Sequence, residues 1–128
     1  MPPTFLTFED VIEIHRDMIE RYGGSAGVRD IGLLQSAVAM PQASFGGQFL
    51  HADLFEMAAA YLFHIVQNHA FLDGNKRVGA SAALVFLEVN RVDVKVTNEL
   101  LVETVLAVSQ GKMGKAAVAE FLRKHSRR

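Results

Sequence analysis

Residues 54–90 read LFEMAAAYLFHIVQNHAFLDGNKRVGASAALVFLEVN. From Leu54 to Gln67 most side chains are apolar (Leu54, Phe55, Met57 to Phe63, Ile65, Val66), the pattern of a helix buried on most sides. Asp53 stands before it as an N-cap, with Glu56 in the reciprocal position. A second such stretch runs from about Asn75 to Asn90. Its Leu84, Val85, Phe86 and Leu87 are core material, and Ala80, Ala82 and Ala83 let neighbouring backbones approach closely. His69 to Gly74 interrupts the pattern. Two buried helices joined by a short polar loop therefore stand at the centre of the fold.

The flanks add helices. Thr7 with Asp10 is close to a capping box, and Phe8, Val11, Ile12, His15, Met18, Ile19 and Tyr22 then recur on one helical face until Gly23-Gly24 stops it. A short second helix starts near Asp30 and ends before Pro41, with Leu33, Leu34, Ala37 and Val38 facing inward. Residues 41–52 read as a loop with Gly46 and Gly47. Beyond the central pair, Val92, Val94 and Val96 alternate in a strand-like way, but no second strand is evident, so an extended connector is expected. Thr97 caps a fifth helix to Gln110, Lys115 to about His125 form a sixth, and Arg127–Arg128 are expected to fray. The expectation is an all-α fold: one domain over residues 1–128, a compact bundle of about six helices.

Composition agrees. At 128 residues and 14.1 kDa, two domains would each be too small for a good core, and 50% hydrophobic with 21% charged residues is a globular balance. The absence of cysteine excludes disulfides, thiolate metal sites and cysteine nucleophiles, and fits a reducing cytoplasm. No apolar run approaches the roughly 20 residues of a membrane span, and no basic-then-apolar start marks a secretory signal. The net charge of −1 conceals −6 over residues 1–75 and +5 over residues 76–128. Two oppositely charged stretches folded together explain that split, as does a basic surface for an acidic ligand. A pI near 6.5 and no evident recognition helix speak against direct nucleic-acid binding.

The junction His69-Ala70-Phe71-Leu72-Asp73-Gly74-Asn75-Lys76-Arg77 carries more polar chemistry than a connection between buried helices needs. Gly74 and Asn75 tolerate positive φ, so successive N–H groups can turn inward as an anion-binding nest at the start of the fourth helix. Lys76 and Arg77 fall in the first helical turn, where the helix dipole disfavours cations unless an anion such as phosphate sits between them. Asp73 places a carboxylate beside that anion, a combination that suits Mg²⁺. His69, as an imidazole, can take a proton from an attacking hydroxyl. Phe71 and Leu72 are expected to pin the loop to the core.

Each residue alone has an ordinary explanation. His69 fits a helix-end histidine satisfied by a carbonyl, Asp73-Gly74 a plain turn, Lys76 and Arg77 a solvated surface. Together in nine residues these explanations require several coincidences. His15 and His64 read as hydrogen-bonded core residues, His51 carries no reading, and the spacing of His64 and His69 is not that of helical metal ligands.

The stretch His69–Arg77 resembles the signature loop of the Fic/Doc family. So do Arg21-Tyr22-Gly23-Gly24, Gly27-Val28-Arg29-Asp30 with Leu33 to Ala37, and Asp53-Leu54-Phe55-Glu56, which are similar to the Doc branch. The resemblance covers nearly the whole chain and implies a compact helical bundle. It further implies a toxin that transfers part of a nucleoside triphosphate to a protein hydroxyl: AMP in most Fic proteins, a phosphoryl group to a threonine of elongation factor Tu in Doc. By position, His69 would be the base, Asp73 would hold Mg²⁺ with ATP as co-substrate, and Gly74, Asn75 and Lys76 would form the anion hole. Arg77 would grip phosphate, and Arg21 is a weaker supporting candidate.

Departures from the Fic pattern separate the two activities. Lys76 stands where Fic loops carry glycine, and Ala80 where they carry a second arginine, which implies a nucleotide seated to present its γ-phosphate. Gly74 is Fic-like, which keeps AMP transfer as the alternative; a non-catalytic anion- or antitoxin-binding module is the third reading. No glutamate has Ser or Thr four residues before it, so the inhibitory helix of many Fic proteins is absent. The resemblance then implies inhibition by a separate Phd-like antitoxin, nucleic acid being reached only through that partner.

Overall fold

In the computed structural model, which describes residues 2–127, four helices begin at side chains that cap them. Thr7 opens α1 (Phe8–Tyr22) with a complete capping box, Asp30 opens α2 (Ile31–Ala39), Asp53 opens α3 (Leu54–Asn68) and Thr97 opens α5 (Asn98–Ser109). Each such cap contributes about 1 kcal/mol by satisfying an amide that the helix leaves unpaired. At α3 the reciprocal bond falls one residue early: Glu56 accepts from Ala52 N–H at 3.1 Å. Helices α4 (Asn75–Val89) and α6 (Lys115–Lys124) begin at Gly74 and Gly114 without a side-chain cap.

The core is built around α3 and α4, as the all-α reading requires. From α3, Ala58, Ala59, Ala60, Tyr61 and Val66 are fully buried, as are Val78, Ala82, Ala83, Phe86 and Leu87 of α4. Gly79 sets the closest approach: a Cβ there would lie 2.7 Å from Val66 Cγ2 and 3.1 Å from the Leu62 carbonyl oxygen. Helices α2 and α6 pack on α3, and α1 and α5 flank the pair. Tyr61 fastens the N-terminal segment. Its hydroxyl accepts from Leu6 N–H at 2.9 Å and donates to Leu6 O at 3.3 Å, and burial pushes its pKa up to about 12.

Three expectations are corrected. The 92–96 segment does find a partner: β3 (Asp93–Val94) pairs antiparallel with β4 (Ser126–Arg127), so Arg127 is held in a ladder. Arg128 lies outside the described residues. The 41–52 loop contains a short 3₁₀ turn, Met40–Gln42, and a hairpin in which β1 (Ser44–Phe45) pairs with β2 (Gln48–Phe49). At two residues each, β1, β2 and β4 are too short for readable alternation, which is why the sequence does not announce them. Leu33, expected to face inward, is partly exposed; Leu34, Ala37 and Val38 form the buried face of α2.

Candidate active site

The site begins with how the chain leaves α3. His69 adopts a left-handed conformation, φ 49° and ψ 45°, which ends the helix and reverses the chain. Histidine is one of the few side chains besides glycine found there with any frequency. The imidazole is exposed and makes no hydrogen bond among the described residues, so the carbonyl-satisfied alternative is not what the fold shows.

The next residues are locked from beneath. Phe71 is buried, and its backbone N–H and C=O both pair with the buried Asn75 side-chain amide at 3.0 Å. This closes a five-residue loop on itself and sets where α4 starts. His15 supports the same loop from α1. Its ring stacks on Phe71, centroids 4.0 Å apart and 7° from parallel, and its Nε2 donates to the Asp73 carbonyl at 3.0 Å. His15 is thus the hydrogen-bonded core histidine expected. Leu72 was expected to pin the loop, but it is 57% exposed; Phe71 does this alone.

Gly74 then takes φ 81°, a left-handed N-cap available to glycine at no steric cost. With no capping side chain, the first-turn amides of α4 are left for a ligand. Asp73, Gly74, Asn75, Lys76 and Arg77 line one end of a groove of about 700 Å³ between α1, α4 and α5. Lys76 and Arg77 are exposed there, and neither has a carboxylate partner among the described residues. Arg77 instead lies over the Tyr22 ring, 4.5 Å from its centroid. Away from the loop the groove wall is mostly apolar, with Leu84, Val85, Leu101, Val105 and Leu106, interrupted by Ser81, Glu88 and Asn98.

Thus the structure brings Asp73 to Arg77 together on one wall, and sets His69 outside that wall at the end of α3. Asn75 departs from its expected part: its side chain shapes the loop, and only its backbone N–H is left for an anion. Arg21, the weaker candidate, is paired with Asp17 at 3.0 Å.

A family model described as "Fic/DOC family" matches residues 5–87. The chain belongs to the Fic/Doc family. Among curated relatives, a protein of Escherichia phage P1 named "Protein kinase doc" is 37% identical over 116 residues, covering 91% of this chain and 90% of that protein. "Toxin Doc" of Mycolicibacterium smegmatis is 47% identical over 73 residues, 57% of this chain and 56% of that protein. Both are Doc proteins, so this Fic/Doc chain stands with the Doc branch, and its helical fold accords with the family.

The residues of this Fic/Doc loop fit a divalent cation in a limited way. Asp73 Oδ1 accepts from Gly74 N–H at 2.8 Å and Oδ2 from Ser25 N–H at 3.3 Å, which orients the carboxylate and leaves lone pairs free. No three His, Asp or Glu side chains converge among the described residues, so an ion beside Asp73 would take its remaining ligands from phosphate and water. Among the described residues no helix is long and apolar enough to cross a membrane.

The sequence reading missed two features. Tyr22, placed on the inner face of α1, is 58% exposed and lies under Arg77; its place one residue before the helix-ending glycine was the available signal. His51, which carried no reading, forms a cluster: Lys115 Nζ lies 3.2 Å from His51 Nε2 and 3.1 Å from His64 Nε2. His51 is buried, and its Nδ1 makes no well-formed hydrogen bond among the described residues. Burial first, and the Lys115 charge second, lower the pKa of both imidazoles, that of His64 to about 4.

Proposed function

We propose that this protein is a Doc-type toxin that transfers the γ-phosphate of ATP to a protein hydroxyl, a threonine of elongation factor Tu, and so arrests translation. The observation that carries this reading is the uncapped start of α4, where bare amides, Lys76 and Arg77 meet the Asp73 carboxylate at one end of a groove. The relative named a protein kinase supports the reaction class.

The triphosphate tail lies on the first-turn amides from Asn75 onward. Lys76 and Arg77 neutralise the charge on the transferring phosphoryl group. Asp73 would hold Mg²⁺, which would help neutralise the charge of the phosphates. His69 takes the proton of the acceptor hydroxyl as that oxygen bonds to the γ-phosphorus. The bond to the β–γ bridging oxygen breaks, and ADP leaves. His69 stands outside the groove, so the acceptor protein approaches from solvent while the nucleotide occupies the wall. Ala80, nearly buried on that wall, supplies no second guanidinium for an AMP-transferring pose. The partner is a Phd-like antitoxin, whose C-terminal segment would lie along the apolar continuation of the groove.

Incubation of the protein with elongation factor Tu and ATP labelled at the γ or the α position tests the reaction. Label arriving from the γ position alone is expected. Label from the α position would make the protein an AMP transferase, and label from neither would favour the binding module.

A further inference from the structure

The base proposed above sits in a backbone conformation that its own side chain does not hold, since the imidazole has no hydrogen bond among the described residues. What holds it comes from forty residues earlier. Arg29 Nε donates to the His69 carbonyl at 2.8 Å, and its Nη2 donates to the Asn68 carbonyl at 3.3 Å. Nε and Nη2 lie on one edge of the planar guanidinium, so the two bonds form a fork that lysine cannot reproduce. Both acceptors are carbonyls at the C-terminal end of α3, where the dipole also favours a cation.

The backbone around Arg29 continues the grip. Arg29 N–H and Asp30 N–H both donate to the Ala70 carbonyl, at 2.7 and 3.0 Å, and Leu72 N–H donates to the Gly27 carbonyl at 3.2 Å. Val28 and Phe71 form an isolated antiparallel bridge. Residues 27–30 therefore run as a short splint beside 69–72. Asp30 anchors the splint as the N-cap of α2, and Asn68 Nδ2 bonds the Leu33 carbonyl at 2.9 Å. Arg29 is exposed and has no carboxylate partner among the described residues, so its fork is spent on carbonyls alone.

We infer that Arg29 is the positioning residue for His69: its fork fixes the left-handed turn from which the imidazole projects. Its fork ends on the base and the residue before it, whereas the Phe71 backbone and the Asp73 carbonyl are held by the Asn75 amide and His15.

The inference rests on the phosphotransfer reading for its kinetic consequence, but not for its geometry, and the test separates the two. Arg29→Met and Arg29→Lys are compared with wild type by steady-state phosphorylation and by the backbone chemical shifts of His69. At least a tenfold loss of kcat in both variants is expected, with KM for ATP within twofold of wild type. Added methylguanidinium should restore part of the Arg29→Met rate, and the His69 shifts should leave their left-handed values. A generally loosened fold would raise KM as well and would not respond to methylguanidinium, and that pattern overturns the inference. Wild-type kcat in both variants also overturns it. If wild type itself transfers no phosphate, the function proposed above fails, and the His69 shifts still decide: unmoved in Arg29→Met, they refute the positioning role; displaced, they support it.

Discussion

His15 in α1 donates a hydrogen bond from Nε2 to the backbone carbonyl of Asp73, 58 residues away in sequence, at 3.0 Å. A carbonyl only accepts, so Nε2 carries a proton, and a side chain of the first helix thereby sets the loop residue that precedes Gly74 and α4. His15→Ala removes this bond and the stacking on Phe71. The expected cost is about 2–3 kcal/mol of stability, from the lost hydrogen bond and the cavity left by the buried imidazole. Urea denaturation of the purified variant measures it.

His69→Asn should fold as wild type does, because asparagine also tolerates the left-handed conformation and the imidazole makes no internal bond. Loss of the proposed base should lower phosphate transfer by about 10²–10⁴-fold. Superimposable melting curves with wild-type transfer rates would remove His69 from the chemistry.

Arg77→Ala should weaken nucleotide binding more than turnover. A charge-assisted hydrogen bond to phosphate contributes about 1.5–3 kcal/mol, or roughly ten- to a hundredfold in KM for ATP. Tyr22→Leu should show a smaller effect of the same sign, because it removes only the ring under the guanidinium. KM and kcat measured separately for both variants check this order.

Acid should loosen the α3–α6 side of the molecule before it reaches the carboxylates. In the folded state burial, and then Lys115, hold the His64 pKa at about 4 against an ordinary 6.5. Between those values the unfolded chain binds more protons, so the contribution is full above pH 6.5 and is lost as pH falls toward 4. His51, lowered for the same causes in the same order, adds in the same direction. With His64 half-buried, solvent screening leaves about 1–2 kcal/mol. The thermal midpoint of wild type should fall relative to that of His64→Gln as the pH drops through this range.

Gly79→Ala pits two effects against each other. Alanine gains about 1 kcal/mol of helix propensity over glycine. The added methyl would meet Val66 Cγ2 at 2.7 Å in the tightest part of the α3–α4 contact, and overpacking costs about 1–3 kcal/mol. Net destabilisation is expected, seen as a lower denaturation midpoint at unchanged slope.

The features legible in the sequence were those with local causes. Thr7, Asp30, Asp53 and Thr97 cap their helices because the bond is made three residues away, within reach of reading. The buried pair α3 and α4 declared itself by apolar saturation, and the polar loop by contrast with it. The unreadable features were long-range pairings. Nothing near Arg29 in sequence says that its fork closes on Asn68 and His69. Nothing near Asn75 shows that its amide turns back to Phe71 instead of out to an anion. Leu72 is exposed for a related reason: the loop has one inward side, and Phe71, stacked on His15, fills it.

The splint of residues 27–30 has a consequence for recognising such proteins. A nine-residue loop excised and grafted between two other helices would keep every polar group and lose the pairing with residues 27–30 that holds its backbone here. In a distant sequence, a match to the loop alone is therefore weak grounds for assigning catalysis. It gains force only when a second short segment, upstream and able to lie alongside it, accompanies the match.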